Sequence, residues 1–157
     1  MKKFLLINIL LVSGLIHSED LKQKLKTDLD PLMEKVISWR HDIHEFPELG
    51  NREFRTSKKV AEHLSSLGIE IETEIAYTGV VGLIRGAKPG PTIALRADMD
   101  ALPVTEQTGL PYASIQRTDY LGQDVGVMHD CGHDAHVAIL MGVAEFLAKN
   151  RKSLREI

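Results

Sequence analysis

The chain has 157 residues, 43% of them hydrophobic and 26% charged, which is the composition of one globular domain with a sizeable core. Its formal net charge of −3 leaves no basic footprint, so nucleic acid is not an expected partner. No internal repeat or low-complexity tract is present.

Lys2 and Lys3 precede a run from Phe4 to Ile16 that is apolar except at Asn8, Ser13 and Gly14. Thirteen residues are too few to span a bilayer comfortably, and they suit the apolar region of a secretory leader. Residues 1–18 are therefore expected to be a signal peptide, cut after Ser18, with an uncleaved anchor as the alternative. No Cys lies near the cut, which excludes a lipoprotein anchor, and no stable membrane anchor is expected. The predicted location is periplasmic or extracellular. Residues 19–30 are polar and charged, a spacer or a frayed helix.

Asp30-Pro31 predicts a helix start, with Asp as N-cap and Pro in the first turn. Leu32, Val36, Trp39 and Ile43 then recur on one helical face, and Pro47 ends the helix. His41 and His44, three apart on that helix and far from any other cluster, are expected at the surface. Asn51 predicts the cap of a second helix, with Phe54, Val60, Leu64 and Leu67 inward and Gly68 as its stop. From Ile69 to Ile75 apolar and acidic residues alternate, predicting a half-exposed strand. Val80 to Arg85 is a mostly apolar run. Residues 87–91 form a turn, and Thr92 to Ala97 predicts a second, buried strand. Residues 101–127 are an irregular loop or short hairpin. Ala135 to Lys149 is helical, with Val137, Leu140, Met141, Ala144 and Leu147 on one side. Helices followed by strands and a helix give an α/β domain.

The chemistry concentrates between His129 and His136. Those eight residues hold three of the chain's seven His and its only Cys: His129, Cys131, His133 and His136. Imidazole and thiolate are ligands for divalent transition metals. Gly132 lets the backbone bend so that Cys131 and His133 reach one centre. A single Cys has no internal disulfide partner. Cys131 is a buried thiol, a metal ligand, a nucleophile or an intermolecular link, and its neighbours favour the ligand. His129 and His136 are weaker candidates, as ligand, substrate contact or core residue. Asp98 and Asp100, two apart at the carboxyl end of the predicted buried strand, would point to one side. Asp100 is the better candidate, as a carboxylate that accepts the free N–H of a metal-ligating His.

Three motifs occur in order: Arg40-His41-Asp42-Ile43-His44-Glu45-Phe46-Pro47-Glu48-Leu49-Gly50, Ala94-Leu95-Arg96-Ala97-Asp98-Met99-Asp100-Ala101-Leu102-Pro103, and Met128-His129-Asp130-Cys131-Gly132-His133-Asp134-Ala135-His136. Across residues 31–150 the chain resembles the amidohydrolase branch of the aminoacylase/carboxypeptidase metallopeptidases, which includes hippurate hydrolase and the hydrolases of indole-acetyl amino acid conjugates. The resemblance implies a zinc-peptidase-like α/β/α catalytic domain with a later lid domain that carries the dimer contact. It implies two divalent ions, Zn, Mn, Co or Ni, and a small N-acyl amino acid as substrate, hydrolysed at its amide by a metal-activated water. Cys131 and His133 fall on metal-ligand positions and Asp100 on the acidic position assigned here to catalysis. Asp130 departs from the pattern, where the family usually has Ala.

The family's general-base Glu, a neighbouring Glu ligand and two further His ligands have no counterpart after His136. Neither Glu145 nor Glu156 replaces them. Residues 31–157 are therefore expected to be the N-terminal portion of the catalytic domain, without the lid, and to be inactive alone. The alternatives are a truncated metal-binding product without activity, or a hydrolase using Cys131 as nucleophile with His129 or His133 as base.

Overall fold

The computed structural model describes the backbone of residues 2–156 and the side chains of residue 23 and residues 25–154, so the expected leader at 1–18 lies outside the described side chains. The chain divides into two units, Met1–Glu34 and Lys35–Ile157. The helix α1 (Lys2–Glu45) occupies the first unit and opens the second. Its expected start at Asp30-Pro31 is not observed, because Pro31 lies inside the helix. Residues 2–29 contain no proline and a single glycine, Gly14, so nothing in them stops a helix. The polar stretch 19–30 is accordingly part of α1. No helix among the described residues is long and apolar enough to cross a membrane.

In the second unit, α1 ends at Glu45, two residues before Pro47, as the clash of a proline ring with a helical predecessor requires. Ile43 is fully buried and packs with Val137 and Met141, with Trp39, Val60, Ala97 and Met99 around them. The helix α2 (Phe54–Ser66) lies beside this core. Asn51 is not its cap. It sits in the preceding turn at φ 62°, and the Glu48 carboxylate takes the free N–H groups of Arg55 and Thr56 at 2.9 and 2.8 Å. A negative charge at that end also opposes the helix dipole favourably. Phe54, expected inward, is 67% exposed, because the first turn of α2 buries Thr56 instead.

Strands β1 (Glu70–Ile75) and β2 (Gly79–Leu83) form an antiparallel pair with an irregularity between Glu72 and Ile75. A short β3 (Lys88–Pro89) pairs parallel with β6 (Arg155–Glu156). Between them in sequence, β4 (Arg117–Tyr120) and β5 (Gln123–Gly126) make the short hairpin expected in the 101–127 region. Its two turn residues, Leu121 and Gly122, both have positive φ, as a type I′ turn demands. The helix α3 (His133–Lys149) buries Val137, Met141 and Ala144. After it, the guanidinium of Arg151 donates to the carbonyls of Leu67 and Gly68, closing the end of α2.

One expected strand is absent among the described residues. Thr92 to Ala97 forms no strand and is paired with none of the described strands, with Ile93 79% and Leu95 57% exposed. An apolar run becomes a buried strand only when neighbours take its backbone groups on both sides, and none of the described strands pairs with it. Asp98 and Asp100 therefore sit on irregular backbone and not at a strand end. The observed fold is a mixed helix/strand arrangement with three two-stranded sheets among the described residues.

Candidate metal centre

Backbone bridges, not a sheet, hold the Asp100 segment. The Ala101 N–H donates to Glu48 O at 2.8 Å, and Leu102 exchanges both hydrogen bonds with Met128, at 2.9 and 3.0 Å. Leu49, Ala101 and Val127 pack together beneath it. Asp100 is thereby brought beside the stretch that begins at His129. The two acidic residues then separate in role. Asp98 is spent on an exposed ion pair with Arg96, at 2.6 Å, whereas Asp100 turns to His133.

Gly132 precedes α3 at φ 84°, a left-handed conformation that costs a non-glycine residue free energy. It turns the chain so that Cys131 lies outside the helix and His133 starts it. His133 is half-buried, and its Nδ1 lies 2.9 Å from Asp100 O and 3.0 Å from Asp100 Oδ1. Both neighbours are acceptors, so Nδ1 carries the proton and Nε2 keeps its lone pair for another partner. Cys131 is exposed with a free thiol, two residues away.

The other two histidines differ. His136 is exposed, its ring 6.1 Å from that of His133. His129 is 4% exposed, and neither ring nitrogen has a hydrogen-bond partner. Burial pushes its pKa down to about 4, against the pull of the Asp134 carboxylate. The ring is therefore neutral at pH 7. Asp130, the departure from the family pattern, is exposed.

Reading the sequence by spacing missed the polar cluster behind the site. His44, expected at the surface, is buried between two carboxylates, Asp134 Oδ2 at 2.9 Å from Nδ1 and Glu106 Oε1 at 3.2 Å from Nε2. Burial raises the Asp134 pKa, but hydrogen bonds led by that from His44 outweigh it and hold the carboxyl below its ordinary range. His41 stacks on Tyr112, with ring centroids 3.7 Å apart. The only hint in the sequence is that His44 adjoins Ile43 on the buried side of α1.

Residues 94–156 match the model of the peptidase family M20/M25/M40. The chain is 52% identical over 133 residues to thermostable carboxypeptidase 1 of Saccharolobus solfataricus, covering 84% of this chain and 32% of that protein. It is 46% identical over 121 residues to hippurate hydrolase of Campylobacter jejuni, covering 77% of this chain and 29% of that one. Its structure superposes with a TM-score of 0.71 and 42% identity on the YXEP protein of Bacillus subtilis, a dinuclear metal binding peptidase from the M20 family, over 80% of this chain and 33% of that one. The chain is similar to M20 metallopeptidases over most of its length. It spans about a third of the length of the curated relatives it matches.

The M20 likeness implies a pair of divalent ions, and the residues present fit that group in kind. The Nε2 of His133 is free, a carboxylate fixes the ring behind it, and a thiol stands two residues away. They do not complete a site. Among the described residues no three metal-capable side chains converge, and catalytic zinc takes about three protein ligands.

Proposed function

We propose that the full-length protein carrying this chain hydrolyses the amide bond of N-acyl amino acids of the hippurate type, with Cys131 and His133 among its metal ligands. The observation that carries this reading is the Asp100–His133 contact, which presets the imidazole tautomer that a metal ligand needs. The hippurate hydrolase relative supports the substrate class. A divalent ion bound there supplies Lewis acidity for the amide carbonyl and for a water. The chain's own residues do the rest of what is present. Asp100 accepts a hydrogen bond from the Nδ1–H of His133 and raises the basicity of Nε2. Cys131 offers a soft sulfur ligand, and its deprotonation accompanies binding.

The described residues bring together two candidate ligands and no general base beside them, so the isolated chain is inactive on this reading. The test compares the isolated chain with the full-length protein for glycine release from hippurate. The expected result is release by the full-length protein, abolished by chelator and by Cys131→Ser, and none by the chain. Sustained, chelator-sensitive release by the isolated chain overturns the division of labour. Release by the full-length protein that survives both treatments overturns the metal reading.

We also propose that residues 1–18 are a secretory leader that sends the protein to the periplasm or outside the cell. Two lysines ahead of a thirteen-residue apolar run support this. N-terminal sequencing of the exported protein is expected to begin at Glu19, and a cell-retained product that keeps the leader overturns it.

A further inference from the structure

One side chain of α1 joins the loop between Leu102 and Met128 to the first turn of α3. His44 is 4% exposed, and both of its ring nitrogens face carboxylate oxygens. Asp134, on the α3 side, is 1% exposed and also accepts from Arg40 Nε at 3.2 Å. Glu106, on the loop side, has a fully covered side chain that takes the Thr108 hydroxyl and the Ser114 N–H as well. The ring of Tyr112 closes the edge of the His44 ring. Rotation of His44 out of this position would cost each of the two buried carboxylates one of its hydrogen bonds.

We propose that His44 is a positioning residue for His133. The inference rests on the reading of His133 as a metal ligand. Asp134 follows His133 directly, about 100° around the same helical turn. A carboxylate anchored inward at Asp134 therefore sets the direction in which His133 points. Glu106 lies four residues beyond Leu102, whose paired hydrogen bonds with Met128 hold the backbone of Asp100. His44 thus clamps the elements on both sides of the 3.0 Å contact between His133 and Asp100. Its action runs through these carboxylates and not through any contact with the ion or substrate.

A buried histidine could instead serve stability alone, and Glu145 supplies the matched control. It is equally buried on the same helix, eleven residues after Asp134 and so about 16 Å along the axis. The test uses the full chain as His44→Ala, Glu106→Gln and Glu145→Gln. Three quantities are read: the thermal midpoint, amide hydrogen exchange at residues 132–136 without metal, and zinc affinity by competition titration below the midpoint. His44→Ala and Glu106→Gln are expected to weaken zinc binding about 10- to 100-fold and to speed exchange at 132–136. Glu145→Gln is expected to lower the midpoint and leave the other two readouts unchanged. If His44→Ala does not fold, Glu106→Gln, which keeps the shape of the side chain, decides the matter. Unchanged exchange and affinity in the folded variants overturn the proposal, as do equal losses in Glu145→Gln. Faster local exchange in a chain whose unsubstituted form takes up no zinc upholds the clamp on α3 and sinks the ligand reading instead.

Discussion

His133 Nδ1 lies 3.0 Å from Asp100 Oδ1 across 33 positions of sequence, and the backbone carbonyl of the same aspartate lies 2.9 Å from it. Two acceptors on one residue leave that nitrogen a single possible role as donor. Asp100→Ala removes one acceptor and keeps the carbonyl, so the ring is held less firmly and its Nε2 is less basic. The expected result is a 10- to 100-fold loss of zinc affinity with little change in thermal midpoint, because the Asp100 side chain is well exposed. Isothermal titration with Zn²⁺ measures it. Equal affinity in both proteins would show that Asp100 does not orient the ligand.

The core that supports this contact turns on Ile43. It is fully buried against Val137 and Met141, one helical turn below the first turn of α3. Ile43→Ala is expected to cost about 2–5 kcal/mol, the transfer term plus the cavity left behind. Urea unfolding at pH 7 checks this, and a loss below about 1 kcal/mol would mean that the site collapses around the smaller residue.

What was legible in the sequence was local. Cys131, Gly132 and His133 fall within one turn, and the stop at Pro47 and the start of α3 near His133 follow from short-range backbone chemistry. What was not legible depended on distant partners. Thr92 to Ala97 has a strand's composition, but a strand is made by its neighbours, and these residues have none among the described ones. Asn51 has a cap's chemistry, but the Glu48 carboxylate reaches the same N–H groups from outside the helix. His44 has a surface residue's polarity, yet it is buried because Asp134 and Glu106, 90 and 62 positions away, satisfy both of its nitrogens. The periodicity of α1 alone contains neither partner.

His63 gives the chain a pH dependence near neutrality. Its ring packs edge-on against Trp39, with centroids 4.6 Å apart, and Nε2 lies 3.1 Å from the Met141 carbonyl. Burial lowers its pKa below the ordinary 6.5, and the hydrogen bond to Met141 only partly offsets that. The unfolded chain therefore binds more protons than the folded one just below pH 6.5, so stability rises with pH through that window. In His63→Gln this slope is expected to flatten just below about pH 6.5. Urea midpoints across that range measure it, and an unchanged slope would assign the dependence elsewhere.

Glu145 adds a dependence of the same sign at lower pH. Burial pushes its carboxyl pKa up, but hydrogen bonds from Lys149 and Lys35, at 2.6 and 2.9 Å, outweigh that and hold it below 4.5. A depressed folded pKa contributes stability that is present above about 4.5 and lost as pH falls through the lower folded value. Both lysine side chains are more than half exposed, so solvent screens their share and the effect is modest. Glu145→Gln is expected to cost about 1–2 kcal/mol at pH 7, and the two proteins should converge as the pH falls through the lowered folded value. Denaturant midpoints at pH 7 and pH 3 test this. A difference that persists undiminished at pH 3 would trace the loss to packing around the amide and not to the charge that the two lysines hold in place.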